Sequence, residues 1–324
     1  MSHRSFIIAL ACMLLAVAGF VIWTLSGSTE LEEAGQAQRG RTPERVSVSD
    51  QGVVREDRPR DASNRFTRLS DGSVRWQVRV DQLRRLDAST LNATEVDYLY
   101  GLLRHAPSGN PEAWWVVVNE VMEQIVKQSI APERITGSLA GLIGDQSLDP
   151  VLRDYAIQHL SIHLKEESEA EAQGFEAIRA AIVAPENQHN SIPGTALVAL
   201  STLQEAQPTM VHAQFTALES YLDPLIRGEV AASVATRTSA INAVALVGAE
   251  SYLPAVRTLA QAEGGNDSVR LSAIAALGDF HQAAAMAAPS SLSADADRQL
   301  LEALVASNTK FKFAAQAALK KLQH

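Results

Sequence analysis

One stretch in the second half of the chain, DSVRLSAIAALGDF, begins at Asp267 and carries apolar residues at helical spacing. Asp267 can cap the first turn of a helix, while Ala273 and Leu277 lie four residues apart on one face. Gly278 follows directly, and glycine in that position is typical of a helix end. The pattern predicts a helix that begins at Asp267 and ends at Gly278.

A basic residue, an alanine three positions later and an aliphatic residue four further on form a triplet that recurs. In the first stretch the triplet is Arg270, Ala273 and Leu277. The other copies are Arg153, Ala156 and Leu160; Arg237, Ala240 and Val244; Lys312, Ala315 and Leu319; and a weaker one at Ala196 and Leu200, with Pro193 in the basic position. Successive alanines are 40, 44, 33 and 42 residues apart. A period of about 40 residues predicts an α-solenoid built from helix pairs.

Each interval between copies also holds a second helical pattern, as a helix pair requires. These partner helices are predicted over residues 170–184, 210–226, 252–262 and 295–307. Further upstream, more divergent helices are predicted over 94–106, 111–126 and 132–144. Proline, glycine and asparagine between the segments supply turns.

The triplet has a packing explanation. Its alanine lets two helices approach closely, and its aliphatic residue lies one turn along the same face. The basic residue lies in the first turn of the second helix, where it can reach acidic or carbonyl groups of the neighbouring repeat. A single pair cannot bury its own apolar stripe, so neighbouring repeats must complete the core.

The pattern of Asp, Val-Arg, Ala and Ala-Leu-Gly over residues 267–278 resembles HEAT repeats, and the resemblance extends over about residues 90–324. It implies an all-α fold, a right-handed α-solenoid of HEAT-like helix pairs. It also implies a scaffold that binds polypeptides along a concave helical face.

The region just before the repeats shows a different pattern. Val74, Trp76, Val78 and Val80 alternate after Asp71-Gly72, which is typical of a β-hairpin. We therefore expect a short β-ribbon or extended cap over residues 66–90, ahead of a HEAT-like repeat domain over 91–324.

The same region holds a cluster of basic residues. Its members are Arg68, Arg75, Arg79, Arg84 and Arg85. Two interpretations stay open at this point: a docking patch for a partner, or an ordinary solvated face.

The N-terminal part contains an uncharged apolar run, FIIALACMLLAVAGFVIWTL, at residues 6–25. About 20 such residues can span a bilayer. Because Arg4 precedes the run and acidic residues follow it, we expect residues 1–5 in the cytoplasm and the remaining chain outside. This predicts a single-pass inner-membrane protein with its bulk in the periplasm. A cleaved signal peptide ending near Ala18 and a lipoprotein at Cys12 are the alternatives.

Residues 26–65 are rich in charged and small polar residues and hold almost no large apolar ones. Such a composition predicts a disordered tether, because it cannot bury enough surface to offset the entropy of ordering. The tether could let the domain search for a partner or act as a plain spacer.

Charge restricts the partner. The net charge is −9, which argues against nucleic acid, since its binding depends on Lys and Arg neutralising phosphates. Along an acidic groove we expect a protein or peptide of the cell envelope, basic or mixed in charge.

No motif for a catalytic residue, cofactor or metal stands out. His159 and His163 are four residues apart and could chelate a metal, but no third ligand is recognisable, so a packing role is favoured. Asn92 and Asn266 fall in glycosylation-type sequons, and helix capping explains both.

The sequence therefore predicts a membrane-tethered, extracytoplasmic, non-enzymatic scaffold or adaptor that binds proteins through a solenoid groove. The alternative is an accessory enzyme of HEAT-like type, such as a cofactor lyase or a metal-dependent modifying enzyme.

Overall fold

A computed structural model describes residues 66, 69, 71, 73–103, 111–166, 172–287, 293–307 and 309–322, with backbone alone for 111–113 and 285–287. All regular secondary structure within these ranges is helical. The predicted anchor 6–25 and tether 26–65 lie outside the described residues.

The described chain is built from consecutive α-helices. They are α1 (Trp76–Arg84), α2 (Ala93–Leu102), α3 (Pro111–Lys127), α4 (Glu133–Gly144), α5 (Pro150–Glu166), α6 (Ala172–Val183), α7 (Ile192–Thr202), α8 (Pro208–Ala217), α9 (Glu219–Arg227), α10 (Val234–Leu246), α11 (Leu253–Gln261), α12 (Asp267–Ala287), α13 (Asp295–Ala306) and α14 (Lys312–Lys321). Single 3₁₀ turns lie at Ala88–Thr90, Pro185–Asn187 and Glu250–Tyr252.

The helices pack as antiparallel pairs that stack side by side. The pairs are α2 with α3, α4 with α5, α6 with α7, α9 with α10, α11 with α12, and α13 with α14. We call the first helices of the pairs the A layer and the second helices the B layer. Along the B layer each helix contacts the next, from α3 through α5, α7, α10 and α12 to α14. This is the predicted all-α solenoid.

The recurring triplet lies on the B layer. Its alanines, Ala156, Ala196, Ala240, Ala273 and Ala315, are all fully buried. The residue that directly follows this alanine is a buried Ile or Leu in α5, α7, α10 and α12. In α14 it is half-buried Gln316. Gln316 is therefore a departure from the apolar pattern of the other copies.

One predicted helix is two helices in the structure. The segment 210–226 divides into α8 and α9 at Leu218, whose side chain is fully buried. Helix α8 packs between α6 and α9 and so adds an extra element to the A layer of that repeat.

The predicted β-ribbon is wrong. Trp76–Arg84 is helix α1, which buries Arg79, Val80 and Leu83 and packs against α3. The buried residues Arg79, Val80 and Leu83 are one and three positions apart, which is a helical spacing. The alternation of valines with polar residues had indicated a strand instead. Packing against α3 overrides the β preference of valine at these positions.

Gly278 does not end its helix, contrary to the prediction. Helix α12 continues to Ala287, and Gly278 lies where α12 crosses α14. A Cβ atom at Gly278 would stand 2.9 Å from the Cα and the carbonyl oxygen of Ala318. Glycine is required there for close helix packing.

A bilayer-spanning helix is absent from the described residues, because none of their helices is both long and apolar enough. This finding contradicts the predicted single-pass inner-membrane localisation, which is corrected accordingly.

Candidate functional site

The arginine of the triplet closes three of the helix pairs. Arg153 Nε donates to the carbonyl oxygen of Ile143 at 2.8 Å, and Arg270 Nε donates to that of Ala260 at 3.1 Å. Arg237 does the same to Ile226 through Nε at 3.0 Å and a terminal nitrogen at 2.8 Å.

Each accepting carbonyl belongs to the next-to-last residue of the A helix in the same pair. Carbonyls in the last turn of a helix lack intrahelical partners, and a cation there also complements the helix dipole. The sequence predicted contact with a neighbouring repeat, and the structure corrects this to the arginine's own repeat. Burial lowers the pKa of both Arg153 and Arg237.

Helix α7 has Pro193 in the position of the arginine, so a different residue bonds to the end of its A helix. Fully buried Asn187 donates through Nδ2 to the carbonyl oxygen of Ala181, near the end of α6, at 2.9 Å. Sequence reasoning missed this substitute because Asn187 lies in the loop before α7, outside the triplet.

The arginine contacts hold one side of the B helices against the A layer, so the opposite side is left in solvent. There, successive B helices each expose a large apolar side chain. They are Ile162 (42% exposed) on α5, Val198 (48%) on α7, Leu246 (51%) on α10, Leu271 (38%) on α12 and Phe313 (81%) on α14. With exposed Gln158, Thr202 and Asn242, these residues define what we call the B face.

Charge is scarce on the B face. Helix α7 contains no charged residue, and the one charge of α10 is Arg237, which is engaged with Ile226. The expected acidic groove is therefore wrong for the surface of α7 and α10.

Two pairs of opposite charges lie near the borders of the B face. On α3, Lys127 Nζ lies 2.6 Å from Glu123 Oε1. At the other border, Lys321 of α14 pairs with Asp279 of α12. Between them, α7 contains no charged residue and α10 contains only Arg237.

The A layer carries ionic contacts as well. Arg134 of α4 lies 2.6 Å from Asp97 of α2 and its guanidinium stacks 4.6 Å from the ring centre of Tyr100. Arg227 and Asp223 pair within α9 at 3.0 Å. These A helices thus carry ion pairs that the surface of α7 and α10 lacks.

A buried ionic cluster joins α11, α12 and α13. Fully buried Asp297 accepts from Arg257 at 2.6 and 2.9 Å and lies 2.7 Å from His281 Nε2. Burial alone would raise the pKa of Asp297, but the bonds from His281 and Arg257 outweigh it and lower the pKa. The cluster is a structural connection between helices.

The candidate metal ligands are packed in the core. His159 and His163 are both buried, and His159 Nε2 lies 3.1 Å from Asn119 Oδ1 of α3. Burial lowers the pKa of His159. Across the described ranges, His, Cys, Asp and Glu side chains form no group of three that could hold a metal.

The arginine cluster near the N-terminal end is not a single patch. Arg79 is buried, 5.8 Å from the ring centre of Trp114. Arg84 lies 2.9 Å from Glu120, and Arg75 and Arg85 are exposed. Arg68 lies outside the described residues.

Both asparagine caps are confirmed. Asn92 forms a capping box with Glu95, and Asn266 Oδ1 accepts from the backbone N–H groups of Ser268 and Val269 at 2.9 and 3.3 Å.

A cleft of about 250 Å³ lies between α2 and α4, lined by Tyr100, Arg134 and Leu142 among others. Pockets for small molecules usually measure about 300–1,000 Å³. The cleft is therefore a poorer candidate for function than the B face.

The likeness of this chain to known proteins is structural. No protein-family model matches the chain, and no curated protein matches it. A designed armadillo repeat protein is similar in structure, with a TM-score of 0.41, 17% identity, and coverage of 77% of this chain and 100% of the other.

Proposed function

We propose that this protein is a non-enzymatic scaffold that binds a polypeptide partner across its B face. The observation that carries the proposal is the row of exposed apolar side chains on successive B helices, from Ile162 to Phe313. Exposed apolar surface rimmed by polar residues is typical of an interaction site.

The shape of the surface supports a polypeptide ligand. The B face extends over several stacked helices, and extended surfaces of stacked repeats suit chains that contact many repeats at once. The acidic net charge of −9 argues against nucleic acid.

The test of this proposal compares a variant on the B face with a matched variant on the A layer. Full-length protein carrying Leu246→Glu on the B face is compared with Val183→Glu on α6 of the A layer; both side chains are exposed, 51% and 37%. In affinity capture from the native cells, we expect wild type and Val183→Glu to retain the same bound protein, and Leu246→Glu to lose it.

Equal retention by both variants would contradict binding through the B face. A stoichiometric metal or chromophore in the purified protein would favour the enzymatic alternative.

A further inference from the structure

We infer that the segment bound by the B face is uncharged and apolar. This inference rests on the proposed function and specifies the chemistry of the partner. It replaces the basic or mixed-charge partner that the overall acidity favours.

The first step is the charge of the central helices. Across α7 and α10 the exposed residues have aliphatic, hydroxyl or amide side chains, namely Val198, Thr202, Val234, Ala235, Asn242 and Leu246. A charged group of a partner placed over them would lose water without gaining a counter-charge, which is unfavourable.

The second step is that several ionic groups around the central helices are already paired. Lys127 pairs with Glu123 on one side, and Lys321 with Asp279 on the other. The carboxylate of Asp154 on α5 accepts a hydrogen bond from the hydroxyl of Ser191. A charged segment would have to break these contacts before it could form its own.

The third step is the spacing of the apolar groups. Ile162, Val198, Leu246 and Leu271 lie on four successive B helices. Neighbouring packed helices are about 8–10 Å apart, so these four helices together span about 30 Å. A segment of about 9 residues in extended form, or about 20 in helical form, would cross them.

Peptide display tests the inference. A random 20-residue library, with no amino-acid bias, is selected on the immobilised full-length protein, and the recovered peptides are sequenced. We expect enrichment of peptides with an uncharged stretch of at least nine residues containing several aliphatic or aromatic side chains.

Synthetic copies of the recovered peptides are then measured against matched variants. Val198→Glu on α7 should weaken binding by about tenfold or more, because it buries an uncompensated charge. Val183→Glu, the same change on α6 of the other layer, should leave the dissociation constant within about twofold. Between about 0.01 and 0.15 M salt the dissociation constant should change less than about twofold, since no ion pair is involved.

Two other results separate this inference from the proposed function. In the first, the recovered peptides are basic, bind less tightly as salt rises, and still lose affinity with Val198→Glu. This result would overturn the inference that the bound segment is uncharged and apolar, while keeping the B face as the binding site. Peptides whose binding is equal in Val198→Glu and wild type would contradict the B face itself, and the proposed function with it. A synthetic peptide of residues 6–25 is measured in the same way. If it binds more tightly than the recovered peptides, the occupant of the B face is a segment of this chain, and the assignment to a separate partner is overturned.

Discussion

At the scale of single residues, the arginine of the triplet stabilises the fold by satisfying the end of a helix. Arg153, Arg237 and Arg270 each reach a carbonyl oxygen ten or eleven residues earlier in the chain. The sequence identified these residues and left two acceptor types open, acidic groups and carbonyl groups, of which the structure shows the carbonyl. The repeat to which the acceptor belongs could not be predicted, because the triplet does not fix how the A helix ends.

Arg153→Ala should therefore destabilise the protein. It leaves the carbonyl oxygen of Ile143 without its bond in a buried place, for which we expect a loss of about 1–3 kcal/mol. Arg179→Ala is the matched control, since Arg179 only pairs with Glu176 at a partly exposed site, and should cost under about 1 kcal/mol. Urea unfolding of both variants measures the difference, and equal losses would show that the carbonyl contact is not important.

At the scale of helices, the sequence predicted most elements but not all their ends. The B helices were recognised because their buried positions repeat with helical spacing. Helix α1 was mistaken for a strand because Val78 and Val80 alternate with polar residues, and only contact with α3 reveals which side is buried. Gly278 was mistaken for a terminator because its packing partner Ala318 is distant in sequence.

The crossing of α12 and α14 gives a test with two glycines. Gly278→Ala places a methyl group 2.9 Å from the backbone of Ala318, so the helices must move apart, at a cost of about 1–3 kcal/mol. Gly137→Ala on α4 meets no atom within 4 Å and should stabilise the helix by up to about 1 kcal/mol. The midpoint temperature of thermal unfolding should fall for Gly278→Ala and rise for Gly137→Ala. A stabilised Gly278→Ala protein would mean that this crossing is looser than described.

The cluster that joins α11, α12 and α13 gives a pH-dependent prediction. Because the pKa of Asp297 is lowered from its usual 3.8, its contribution to stability is present above that value and lost as pH falls through the lowered pKa. Asp297→Asn should destabilise the protein at pH 7 by about 3–5 kcal/mol, since it leaves Arg257 without its buried partner.

Urea unfolding of wild type and Asp297→Asn at a series of pH values checks this. The difference between them should shrink as the pH is lowered below 3.8. A difference that stays constant down to pH 2 would contradict a stabilising role for the carboxylate.

At the scale of the whole molecule, the two layers have different surfaces. Ionic contacts such as Arg134 with Asp97 lie on the A layer, whereas the middle of the B layer exposes uncharged side chains such as Val198 and Leu246. The net charge of −9 was visible in the sequence, but its distribution was not, because that depends on which side of each helix faces solvent. The solenoid was therefore predictable, while the chemistry of its candidate binding face required the structure.

The central claim is that a polypeptide binds across the B face, and site-specific photo-crosslinking tests it most directly. A photoreactive phenylalanine derivative replaces exposed Gln158 on α5 of the B layer or, as the matched control, exposed Gln173 on α6 of the A layer. In the native cells, irradiation should join position 158 to one defined partner polypeptide and leave position 173 unreacted. Crosslinking of that partner at position 173 but not at position 158 would contradict the account.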